Sequence, residues 1–178
     1  MYKLIFPLLL ILSTCSKDKH YEVGQIETPK GEILVWLHDE TPNHKNSFIQ
    51  LANNLEVNII LIWGSEAEKK EASHIAIEAF ETKLAPKLTL PQLVALIDSV
   101  DLVIGNDTGP THIAWAMNKP SITLFGPTPA NKMMWQGTKH IAIESDSEVN
   151  PLKLDRSDMS IKDISAQLVY EKAQELLR

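Results

Sequence analysis

The sequence predicts an α/β domain, a doubly wound, Rossmann-like and mostly parallel sheet with helices on both faces. Three observations lead to the sheet. From Glu32 onward, short β-branched apolar runs alternate with stretches of helical period, the pattern of βαβ units. The runs are almost continuously apolar, as strands buried on both faces must be. The chain has 178 residues, 44% of them hydrophobic, which suits one such domain.

The predicted strands are Ile33 to Leu37, Val57 to Trp63, Leu102 to Gly105, Ser121 to Phe125 and His140 to Ile143. Between them, Phe48, Ile49, Leu51, Ala52 and Leu55 share one helical face, and Leu90, Leu93, Val94, Ile97 and Val100 share another. Ser65 with Glu68, and Thr89 with Gln92, have capping-box spacing at the helix starts. A last helix is expected from about Ile161 to Leu177, presenting Ile161, Ile164, Leu168 and Leu176 to the sheet. Residues 16 to 31 and 145 to 159, rich in charge and turn formers, are expected to be the flexible segments.

The domain is therefore residues 32–178, preceded by a distinct segment, residues 1–31. There Lys3 is followed by apolar residues 4 to 12 and by Leu12-Ser13-Thr14-Cys15, the outline of a bacterial lipoprotein signal. The other reading is a fragment of an interdomain segment, or an out-of-frame start, upstream of a domain that begins near Glu32. Nine apolar residues are too few for a membrane-spanning helix, which needs about 20. A net charge of 17 − 23 = −6 argues against a general nucleic-acid binder, because such a protein displaces counterions with a basic face. The single cysteine, Cys15, rules out an internal disulfide and a Cys-based zinc site.

Ligands of open α/β sheets bind outside the carboxyl ends of the strands, so the informative residues end a strand and open a helix. Four such junctions stand out. Val103 to Ala114 contains Gly105, Asn106, Asp107, Thr108, Gly109 and a first-turn Pro110. Free amides and the positive dipole end at that helix start suit a diphosphate or sugar oxygens, with Thr108 and His112 as further donors. Equally, Asp107 or Thr108 can serve simply as a cap. Leu37 to Lys45 carries a lysine able to meet a phosphate as a point charge, or to sit in solvent. Trp63 to Glu68 places a carboxylate within reach of ribose hydroxyls, although the capping box accounts for Glu68 as well. Phe125 to Pro129 is a rigid turn that lines the same crevice.

Other chemistries lack their residues. Neither a dinucleotide fingerprint, a P-loop nor a nucleophile elbow occurs, and the six histidines show no metal-ligand spacing. No cofactor or metal is expected. What remains is a polar, phosphate-friendly cleft.

At Asp101 to Ala114 the chain resembles glycosyltransferase family nine, the lipopolysaccharide heptosyltransferases. The Asp107-Thr108-Gly109-x-x-His112 core, the later Phe125-Gly126-Pro127-Thr128, and the earlier Trp63-Gly64 and Pro86-Lys87-x-x-Leu90 stand in the family's order. The resemblance covers about Glu32 to Leu177 and is similar to the carboxy-terminal, donor-binding half of a two-domain GT-B enzyme. Within the family it is most similar to the heptosyltransferase I branch, which transfers heptose from ADP-heptose to Kdo-lipid A in the lipopolysaccharide inner core.

The resemblance implies an inverting, metal-independent glycosyltransferase. It implies that Asp107, Thr108 and Gly109 hold the donor sugar and diphosphate, with His112 in the same helix start. Lys45 then contacts the diphosphate, Thr41 stands beside it, and Glu68 lies near the adenosine ribose. Glu40 stands where a second hydroxyl residue is usual, and a carboxylate there would repel a diphosphate. The catalytic aspartate of the family belongs to its amino-terminal, acceptor-binding half, and no residue here matches it. The expectations are a chain active only with a separate amino-terminal half or as part of a longer product, an ADP-heptose donor, a lipopolysaccharide core acceptor and a cytoplasmic place at the inner membrane. The alternatives are a non-catalytic remnant, or an exported lipoprotein anchored through Cys15, that keeps the fold for binding, and another GT-B nucleotide-sugar enzyme.

Overall fold

The apolar runs pair into a single parallel sheet of six strands in the order β3-β2-β1-β4-β5-β6. The computed structural model describes residues 32–36, 49, 53, 57–79, 81–135, 137–147 and 158–178. The strands are β1 (Glu32–Trp36), β2 (Asn58–Ile62), β3 (Thr82–Leu84), β4 (Leu102–Asn106), β5 (Ser121–Phe125) and β6 (His140–Glu144). The helices are α1 (Glu66–Glu78), α2 (Leu90–Ser99), α3 (Gly109–Ala116), α4 (Ala130–Met133) and α5 (Ala166–Leu176), with a 3-10 turn at Ser160–Asp163.

Side-chain alternation decides which helix covers which face. Ile33, Val35, Ile59, Leu61, Leu102 and Ile104 point to the side covered by α1, through Ala72 and Ile75, and by α5, through Val169 and Ala173. Leu34, Ile60, Ile62 and Val103 point to the opposite side, where Ile97 of α2 and Ala114 of α3 pack. Both faces of the central strands are thus dry, and each fully buried Leu or Ile contributes about 1.5–3 kcal/mol. Ile49, helical between β1 and β2, packs against the first of these clusters. Its expected helical companions Phe48, Leu51, Ala52 and Leu55 lie outside the described residues.

Several expectations need correction. Strand β3 went unpredicted because it is a three-residue edge strand, Thr82-Lys83-Leu84, with a polar and exposed centre. Leu90 does not face the sheet: it opens α2 and is 66% exposed, while Leu93, Leu96, Ile97 and Val100 make the contact. The last helix does not run on from Ser160. The chain makes a 3-10 turn there, and Ser165 caps α5 by accepting the Leu168 amide at 3.1 Å. The later start turns Leu168 outward and Val169 and Ala173 inward. The described ends of the segment expected to be flexible are tied together, since Ser145 and Ser160 share a hydroxyl hydrogen bond of 2.8 Å and Ser147 donates to Asp158. Ser147 and Ser160 hold the Asp158 carboxyl below its ordinary pKa, the Ser147 hydroxyl contributing most.

Candidate functional site

Winding from β1 proceeds outward through β2 to β3, then returns past β1 to β4 and continues to β6. The direction reverses between β1 and β4, which places the crevice of the fold outside their carboxyl ends. The junction after β4 and the junction after β2 stand on either side of β1.

At the first junction, β4 ends at Asn106 and Thr108 is the N-cap of α3 in extended conformation. Pro110 fits the first turn because its missing N–H has no partner to lose. Thr111, 1% exposed, holds the turn. Its hydroxyl lies 2.8 Å from the carbonyl oxygens of both Asn106 and Thr108 and accepts the Thr108 amide at 3.2 Å. The Thr108 hydroxyl donates to the Asn106 carbonyl at 3.2 Å. The first-turn amides and the positive end of the dipole are thereby held at the carboxyl end of β4.

Gly109 is exposed, and a Cβ added to it would meet nothing within 4 Å. Beside it Asp107 Oδ1 meets His112 Nε2 at 2.7 Å, the carboxylate side chain 15% exposed and the imidazole 53%. His112 stacks on Trp115 with ring centroids 4.6 Å apart. Asp107, Thr108, Gly109 and His112 therefore come together around one open helix start.

At the second junction, Glu68 Oε2 accepts the Gly64 and Ser65 amides at 2.6 and 2.9 Å, and Ser65 Oγ accepts the Glu68 amide at 3.2 Å. The capping box is formed, and Glu68 is 7% exposed. Next to it, Trp63 Nε1 donates to the Ala85 carbonyl at 2.8 Å, while the Lys69 and Lys87 ammonium groups stand 4.8 and 5.7 Å from its ring centroid. Neither the lysines nor the roles of Thr111 and Trp115 were legible in the sequence. They depend on side-chain positions within the turns and along α3, and only the Trp63-Gly64 and Pro86-Lys87 pairs gave a hint. Gly126 of the fourth junction is buried against the 3-10 turn, where a Cβ would lie 3.1 Å from Ile161 Cβ. Thr41 and Lys45 lie outside the described residues. Among the described residues no group of three or more His, Cys, Asp and Glu is arranged to hold a metal, and no helix is long and apolar enough to cross a membrane.

The sequence profile of glycosyltransferase family 9 (heptosyltransferase) matches residues 42–159. The chain belongs to this family. Among relatives of this family 9 chain, lipopolysaccharide heptosyltransferase 1 of Campylobacter coli is 36% identical over 126 residues, which are 68% of this chain and 37% of that protein. The E. coli heptosyltransferase WaaC with ADP superposes with a TM-score of 0.64 at 23% identity, covering 85% of this chain and 46% of that one. WaaC with ADP-2-deoxy-2-fluoro heptose gives 0.62 at 23% identity, covering 86% and 46%. The solved structures establish the shared fold, and this family 9 chain spans less than half the length of each of these relatives.

Proposed function

We propose that this chain binds the nucleotide-sugar donor, ADP-heptose, of a heptosyltransferase that builds the lipopolysaccharide inner core. The observation that carries the reading is the open helix start after β4, where Asp107, Thr108, Gly109 and His112 come together and a Cβ on the exposed Gly109 would meet nothing within 4 Å among the described residues. The first-turn amides take the diphosphate, and their fixed dipoles stabilise the charge that grows on it as the leaving group departs. Lys45 and Thr41 complete the diphosphate contacts, and Glu68, on the far side of β1, faces the ribose. WaaC, which shares the fold, is a protein solved with ADP and with ADP-2-deoxy-2-fluoro heptose. Transfer to the acceptor requires the general base and the water exclusion that the acceptor-binding half of the family supplies. With that half present the enzyme works at the cytoplasmic face of the inner membrane.

Calorimetric titration of ADP into the full chain tests the donor reading. Saturable binding is expected, weakened at least about tenfold, or 1.4 kcal/mol, in Lys45→Ala. A folded sample that takes up no ADP overturns it.

A further inference from the structure

A second recess lies away from the crevice, beside the edge strand β6. Ile141 and Ile143 of that strand pack toward α1 and α5, so His140, Ala142 and Glu144 face the opposite side. On that side β6 is overlaid by the four-residue helix α4 and by Met134 and Trp135. Between them is a cavity of about 270 Å³ with Ala142 as its floor, His140 and Glu144 on either side along the strand, and Asn131, Met134 and Trp135 around it. Two strand spacings of about 4.8 Å separate β6 from β4, so the recess is distinct from the helix start after β4.

The lining is prepared for a ligand. Trp135 is 69% exposed, leaving a wide aromatic face in water next to the cavity. Glu144 Oε1 accepts the Ala130 amide at 3.0 Å, which anchors the carboxylate. His140 Nδ1 shares a 2.9 Å hydrogen bond with the Ser121 hydroxyl. Burial, and then the Lys139 charge, keep its pKa below the ordinary 6.5, so it presents a neutral ring. Among the described residues that line the recess there is one carboxylate and no lysine or arginine, a balance that repels phosphates and nucleotides. Polar groups on both sides of a single methyl floor do not suit an acyl chain.

The ligand class that fits is a neutral, hydroxylated ring. Its C–H face lies on an indole, and its hydroxyls both donate to a carboxylate and exchange hydrogen bonds with an amide and an imidazole. The volume falls below the roughly 300 Å³ at which drug-sized sites begin, which is room for one such ring. We propose that the recess between α4 and β6 is a sugar-binding subsite that stacks one pyranose on Trp135 and holds its hydroxyls through Glu144, Asn131 and His140.

The test is a titration of the full chain with D-glucose, D-mannose and N-acetyl-D-glucosamine, followed by the indole signal of Trp135, which Trp135→Phe identifies. At least one sugar is expected to bind saturably with a Kd on the order of 1–10 mM. Trp135→Ala and Glu144→Ala should each weaken that binding about tenfold or more. Because Glu144 also anchors α4, Ala142→Leu serves as the independent variant: it fills the floor while leaving every polar group, and it should abolish sugar binding without changing the response to ADP. The proposal is overturned if none of the three sugars gives a saturable change. Binding undiminished in both Trp135→Ala and Ala142→Leu also overturns it, as does binding of tetramethylammonium in place of every sugar.

Discussion

Replacing Gly109 with alanine separates what the fold requires from what a ligand requires. Nothing lies within 4 Å of the added methyl, and the glycine is exposed at the first position of α3. Its φ lies outside the left-handed range, so the alanine meets no backbone strain. Alanine also lowers the entropy of the unfolded chain, a gain of about 0.4–1 kcal/mol where the native conformation accepts it. In a domain of this size 1 kcal/mol moves Tm by about 2–4 °C, so Gly109→Ala should raise Tm by about 1–4 °C. The same methyl would enter the space assigned to the diphosphate, and overpacking by one such group costs about 1–3 kcal/mol. ADP affinity should then fall about 5- to 150-fold. Differential scanning calorimetry and ADP titration of the two proteins give both numbers. An unchanged ADP affinity refutes the placement of the diphosphate at this helix start, and a Tm lowered by several degrees refutes the argument that the glycine is free of packing duty.

Thr111→Val keeps the volume of a 1% exposed side chain but strands the Thr108 amide and removes the donor to Asn106 and Thr108, so urea unfolding should show a loss of about 1–3 kcal/mol. Glu68→Ala deprives the Gly64 and Ser65 amides of a buried charged acceptor, a loss of about 2 kcal/mol in the same assay, and wild-type stability would show that the capping box is unimportant. His140 resists protonation in the folded state but accepts a proton at its ordinary 6.5 when unfolded. Its contribution is therefore complete above pH 6.5 and is lost as pH falls toward the lower folded value. Unfolding curves taken from about pH 8 to pH 5 should show this decline, smaller in His140→Gln, and identical slopes for the two proteins would remove His140 as its source.

The buried strands were readable because a strand covered on both faces has nearly every position apolar, as Ile59 to Ile62 and Leu102 to Ile104 do. Strand β3 escaped because an exposed edge of three residues carries no such pattern. Leu90 and Leu168 were assigned inward from periodicity alone, and the positions where the helices begin rotated both toward solvent. Within the site, Asp107, Thr108, Gly109 and His112 were visible as a polar turn between a strand and a helix. That Asp107 pairs with His112, that Thr111 holds the turn and that Trp115 backs the imidazole emerged only with side-chain positions.

By itself the sequence determined the local chemistry: which runs become strands, where helices are capped, and which polar turns join a strand end to a helix start. These properties depend on neighbours within a helical turn or along one strand, and each is written in a few consecutive residues. Strand order was decided by the tertiary structure, because it follows from burying both faces of every central strand at once, which couples residues far apart in the chain. That order placed the ends of β2 and β4 on either side of β1 and set the β6 recess apart from them.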